Sequence, residues 1–130
     1  MKKEILDKWV AALESGKYRQ TTRQLVNCIN GERSYCCLGV LCEVIKEMDG
    51  PVKDTIFSGA ALQNYAGFQF VTSEGSTGMF SSLNDEALKW TGLNQIVQST
   101  LISMNDSGAS FPEIAKWLKE EHEKNEYQTT

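Results

Sequence analysis

The residues with the most obvious chemistry are four cysteines, three of which (Cys36, Cys37 and Cys42) fall in one apolar stretch, with Cys28 upstream. Thiolates hold zinc in tetrahedral sites, usually from C-x-x-C pairs or spaced histidines. No C-x-x-C occurs, and the chain has one histidine, His122. Side chains at adjacent helix positions point ~100° apart, so Cys36 and Cys37 are poorly placed to share an ion. The expectation is therefore no metal and no cofactor. A nucleophilic thiolate needs an electropositive, partly exposed setting. Cys28, beside an arginine-bearing segment, comes nearest. Asp85, Glu86 and Asp106 stand where acids ordinarily cap helices or make turns. Ser110 has a capping role with Glu113. With its histidine in a polar tail, the chain assembles no nucleophile, base and orienting acid. It reads as a non-enzyme.

What remains is recognition. Tyr18, Arg19, Gln20 and Arg23 put stacking, charge and amide donors in one short segment, and Asn105-Asp106 form a second polar cluster. Arginine favours bidentate contact with phosphate or carboxylate. Aromatics between Phe68 and Phe80 can supply a wall or lid. A small ligand needs a mainly apolar pocket with a few convergent polar groups. Tyr18, Arg19, Gln20, Arg23, Asn105 and Asp106 are thus the candidate ligand-binding set. The same segment also fits a solvated loop whose tyrosine and glutamine tie backbone groups together. Gly75 and Gly78 make no phosphate loop, because no Lys-Ser or Lys-Thr pair follows them.

These residues must be positioned by the elements around them. Tyr35 to Leu41 carries no charge, and the spacing predicts a buried helix over 35–48, N-capped by Ser34 and stopped by Asp49-Gly50-Pro51. That helix is expected to be the packing hub. Lys3 to Ser15 is amphipathic, with Ile5, Leu6, Trp9, Val10 and Leu13 on one face and Gly16 as its stop. Leu25, Val26 and Ile29 suggest a short strand before an Asn30-Gly31 turn. Pro51 to Ile56 reads as linker, and Ser58 to Tyr65 as a short helix. Phe68 to Thr72 alternates as a strand, with Met79-Phe80 as the return of a hairpin. Three further helices follow: one opened near Ser82 to Glu86 and stopped by Gly92, one over 96–104 ended by Asn105 to Gly108, and one started by the Ser110-Glu113 box. Residues 120–130 are expected to fray. The expected fold is mainly α (α+β), a single helical domain over 1–130 around the cysteine helix, with one small β-hairpin.

At 130 residues, with 41% hydrophobic and 23% charged residues, the chain is long enough to bury a core as one domain. No apolar run reaches the length of a membrane span, and the start enters an amphipathic pattern directly, so neither membrane nor signal peptide is expected. A net charge of −4 argues against non-specific nucleic-acid binding. Cysteines bunched in a buried helix suggest a reducing cytoplasm.

Three stretches carry a family resemblance: WVAALESGKYRQ (Trp9–Gln20), YCCLGVLC (Tyr35–Cys42) and MNDSGASFPEIA (Met104–Ala115). Together they resemble a family of small bacteriophage and prophage proteins without an assigned activity, leaving 49–80 as the divergent part. The resemblance implies a small accessory protein acting in the host cytoplasm. Such proteins often counter host defence. The implied function is to bind and sequester, without cleaving it, a small anionic nucleotide-derived immune signal, with a second subunit able to complete the site as a homo-oligomer. A protein-binding inhibitor or adaptor is the competing class, and a nucleotide-signal hydrolase the disfavoured one.

Overall fold

The computed structural model describes residues 1–57 and 65–128. The amphipathic start forms α1 (Lys3–Glu14), which ends at Ser15 and Gly16, the latter at φ +74°. Its buried face carries Ile5, Leu6, Trp9, Val10 and Leu13, as the spacing predicts. Trp9 is fully buried and its indole Nε1 donates to the Cys37 carbonyl at 2.9 Å, locking α1 to the cysteine stretch.

That stretch forms α2 (Cys37–Glu47), shorter at its start than expected. Cys37 to Cys42, Val44 and Ile45 are all buried, so α2 is the hub. Ser34 is not its cap. Ser34 and Tyr35 instead close β3 (Glu32–Tyr35), and Cys36 is the extended residue that precedes the helix. The donor requirement of the first turn is met from a distance: the Cys37 N–H donates to Asn105 Oδ1 at 3.2 Å. A cap 68 residues away leaves no local sequence signal.

The expected fold class needs correction. The chain is an α+β protein with two three-stranded sheets, not a helical domain with one hairpin. The first sheet has the order β1-β3-β2, from β1 (Arg19–Gln20), β2 (Val26–Ile29) and β3. β1 runs parallel to β3, and β2 antiparallel to it. The β2–β3 turn uses Asn30 and Gly31 at φ +51° and +80°. Two positive φ values match the right-handed twist of a two-residue hairpin, which is why Asn-Gly is favoured there. The second sheet is an antiparallel meander of β4 (Val52–Phe57), β5 (Tyr65–Thr72) and β6 (Gly75–Met79). β4 corrects the linker expected over 51–56. Of the helix expected over 58–65, residues 58–64 lie outside the described residues, and Tyr65 opens β5.

The last part follows its capping signals. Asn84 caps α3 (Asp85–Thr91) by accepting from the Ala87 N–H, and Gly92 stops it at φ +76°. Asn94 caps α4 (Gln95–Asp106), whose final turn includes Asn105 and Asp106 rather than ending before them. Ser110 accepts from the Glu113 N–H at 3.3 Å and begins α5 (Phe111–Gln128). Helix thus continues to Gln128, within the segment for which fraying is expected. Ile114, Ala115 and Leu118 of α5 are buried in the same core as Leu38, Leu41 and Ile45 of α2, so its apolar face seals the domain.

Candidate functional site

The structure brings four of the six candidate residues together and sets two apart. Gln20 leaves β1 pointing at the α4–α5 junction, where its Nε2 donates to Asn105 Oδ1 and to the Ala109 carbonyl, both at 2.8 Å. Asn105 is 1% exposed. Its Nδ2 donates to the Thr21 carbonyl at 2.9 Å and to Asp106 Oδ1 at 3.3 Å. With Oδ1 also taking the Cys37 N–H, the amide of Asn105 is fully used. Gln20 and Asn105 are therefore structural links, tying β1 and the α4–α5 junction to the start of α2. Asn105 has no capacity left for a ligand, and both amide donors of Gln20 are taken.

Tyr18 stands away from this group. Its ring packs edge-on against Tyr35, with centroids 5.4 Å apart at 89°, and its hydroxyl reaches Glu47 at 3.5 Å. It lines a separate groove between α1 and α2 with Lys8, Lys17 and Met48. Burial, then the neighbouring Glu47, raises its pKa, so it stays a neutral phenol. Arg19 is exposed and paired with Glu32 at 2.7 Å. It approaches none of the other candidates.

Arg23 and Asp106 carry what remains. Arg23 is in the left-handed region at φ +67°, which a non-glycine residue adopts at a cost of about 1–3 kcal/mol. Its backbone N–H donates to Asp106 Oδ1 at 2.9 Å, which holds the conformation. Its guanidinium has no acid partner among the described residues. Arg23 and Asp106 line a cleft of about 280 Å³ with Cys36, Ser81, Ser82 and Ile102. Ser81 and Ser82, on the connection between β6 and α3, carry no sequence signal beyond a possible helix start. The expected aromatic wall is absent from this cleft. Phe68 and Phe70 are core residues, and the half-exposed Phe80 ring lies over Gly67 and Gly78 on the second sheet.

Cys36, Cys37 and Cys42 are packing groups, whereas Cys28 on β2 is half-buried. Burial pushes the Cys36 thiol up to about 11 and raises Cys37 and Cys42 well above the usual thiol range. A thiol so raised holds its proton at neutral pH. No group of three or more His, Cys, Asp or Glu able to hold a metal occurs among the described residues.

A second polar cluster joins β3, α2 and β4. Asp54 accepts from Lys46 Nζ at 2.7 Å and from Arg33 Nη1 at 3.2 Å, and Lys46 also pairs with Glu43 at 3.3 Å. This balanced set explains why a strand bearing Lys53 and Asp54 forms at all. Burial disfavours ionised Asp54, but hydrogen bonds and charge from Lys46 and Arg33 outweigh it and hold the carboxyl below its ordinary 3.8. A lowered folded value means that this stabilisation is complete above pH 3.8 and is lost as pH falls through the folded value. For solvent-touched pairs the contribution is up to about 1 kcal/mol. Urea midpoints measured from neutral pH down through this range should fall less steeply for Asp54→Asn than for the wild type. Parallel acid limbs would show that the ion pairs contribute nothing.

A family model described as a domain of unknown function, DUF8296, matches residues 1–122. The chain belongs to this family. The matched span contains all six candidate residues, both sheets and α1 to α4. No curated protein and no solved structure matches the chain. Among the described residues, no helix is long and apolar enough to cross a membrane.

Proposed function

We propose that this DUF8296 protein binds a small anionic, nucleotide-derived molecule in the cleft beside Arg23 and holds it without cleaving it. One observation carries the reading. Of three arginines, Arg19 is paired with Glu32 and Arg33 with Asp54, whereas Arg23, which lines the cleft, has no acid partner for its guanidinium among the described residues. The positive φ of Arg23, held by a specific backbone anchor, is strain of the kind that tends to persist at binding sites. Ser81 and Ser82 add hydroxyls, and Ile102 adds an apolar wall. This arrangement favours holding over turnover, because the thiol of Cys36 keeps its proton and one Asp106 oxygen is committed to the Arg23 backbone. Sequestration of an immune signal is the role that the resemblance to phage proteins implies for such a site.

The test is a thermal-shift panel of cyclic dinucleotides, ADP-ribose derivatives and mononucleotides. A ligand present at 100 times its Kd should stabilise the protein by about 2.7 kcal/mol. Arg23→Ala should keep the fold and weaken binding by roughly 1.5–3 kcal/mol, the value of a charge-assisted hydrogen bond. Arg19→Ala should leave binding unchanged. Chromatography of the denatured complex should return the ligand intact. A panel with no shift sinks the reading and favours a protein partner, for which Ile29 and Ile96 are exposed apolar residues.

A further inference from the structure

We infer that Asp106 selects, within the ligand of the Arg23 cleft, a hydroxyl-bearing sugar next to the anion, so that the preferred unit is a ribose phosphate rather than a bare or deoxygenated phosphate. The inference rests on the cleft being a binding site, as proposed above. Its starting point is a conflict of charge. Arg23 attracts an anion, yet the carboxylate of Asp106 lines the same cleft. A bare phosphate would be drawn to one and repelled by the other.

The hydrogen bonds of Asp106 indicate how the conflict resolves. Oδ1 accepts from the Arg23 N–H at 2.9 Å and from Asn105 Nδ2 at 3.3 Å. Oδ2 has no partner among the described residues. An ionised carboxylate only accepts, so whatever satisfies Oδ2 from the ligand must donate. A donor there converts repulsion into a charge-assisted hydrogen bond, among the stronger polar contacts available.

Geometry narrows the donor. Asp106 is bonded to the backbone N–H of the same residue whose guanidinium takes the anion, so the two recognition points belong to one anchored pair. On a nucleotide the ribose hydroxyls lie nearer to a phosphate on the same sugar than a base amino group does. The cleft, at about 280 Å³, is at the lower edge of small-molecule pockets and suits a phosphate with its sugar rather than a whole dinucleotide. Ser81 and Ser82 can donate or accept on either side of such a unit.

The experiment is calorimetric titration of the wild-type chain with three probes: adenosine 5′-monophosphate, its 2′,3′-dideoxy counterpart and inorganic phosphate. The ribonucleotide should bind at least about tenfold tighter than the dideoxy form, or about 1.4 kcal/mol. Asp106→Asn retains an oxygen for the Arg23 N–H, removes the charge and turns the free oxygen into a donor. That variant should lose the ribose preference while tightening on inorganic phosphate. Equal binding of the two nucleotides by the wild type, or a preference unchanged in Asp106→Asn, overturns the inference. If Arg23→Ala still weakens binding in that case, the cleft reading survives it. Failure of all three probes and of the wider nucleotide panel would remove both. Should Asp106→Asn not fold, the wild-type ratio alone decides.

Discussion

Replacing Gly39 by alanine should destabilise the protein by about 3 kcal/mol or more, enough to unfold a domain of ordinary stability under mild denaturant. On helix propensity alone the change has the opposite sign, since alanine is favoured over glycine by about 0.8–1 kcal/mol within a helix. The obstacle is backbone. A Cβ at Gly39 would overlap the carbonyl oxygen of Leu25, with the Leu25 carbonyl carbon at 2.7 Å. That carbonyl is not free to retreat. It accepts from the Cys36 N–H at 3.3 Å, while the Leu25 N–H donates to the Phe80 carbonyl at 2.7 Å. Leu25 is fully buried, so the segment leading into β2 is held between α2 and the end of β6. Space for a methyl requires α2 to move off this segment, with loss of packing around Leu38, Leu41 and Ile45. A urea midpoint for Gly39→Ala far below that of the wild type is the expected result. An unchanged midpoint would mean that α2 slides without penalty and is not the rigid hub described.

The same contact shows what the sequence conveys and what it hides. Gly39 interrupts an apolar run, which marks it, but the reason lies in a residue outside that run. α1 and the helices from Asp85 onward are legible because periodicity and local caps (Gly16, Asn84, Gly92, Ser110) define them within a few residues. The Asn30-Gly31 turn is legible for the same reason. β4 is not, because Lys53 and Asp54 break its alternation and their acceptance in a strand depends on Lys46 and Arg33 from other elements. β1 and β3 are short and polar, and only pairing makes them strands. Among the candidate site residues, two polar clusters are visible in sequence, but not that Gln20 and Asn105 satisfy one another. Amide and guanidinium groups look alike as binding groups until their partners are known. Arg23 and Asp106 keep side-chain groups without protein partners among the described residues, whereas the Asn105 amide and both Gln20 donors are taken and Arg19 is paired with Glu32.

Asn105→Ala should be nearly as damaging as Gly39→Ala, at roughly 3–5 kcal/mol, through lost partners rather than overlap. It strands the buried Cys37 N–H and the Thr21 carbonyl and deprives Gln20 of one acceptor. Each buried group left unpaired costs about 1–3 kcal/mol. Asn105→Asp separates this account from simple loss of volume. An aspartate keeps the acceptor for Cys37 and Gln20 but, when ionised, cannot donate to Thr21 and stands beside Asp106. Burial and like charge would raise its folded pKa above that of the unfolded chain. Its destabilisation should therefore be greatest at neutral pH and ease as pH falls through the folded value, where the protonated acid donates again. A cavity defect would show no such dependence. Both variants loosen the start of α2, so combining Asn105→Ala with Gly39→Ala should destabilise by less than the sum. Because Asn105 also fixes Thr21 and Asp106, Asn105→Ala should weaken ligand binding at Arg23 without touching the ligand. Binding that survives an otherwise destabilised Asn105→Ala would show that the cleft does not depend on this network.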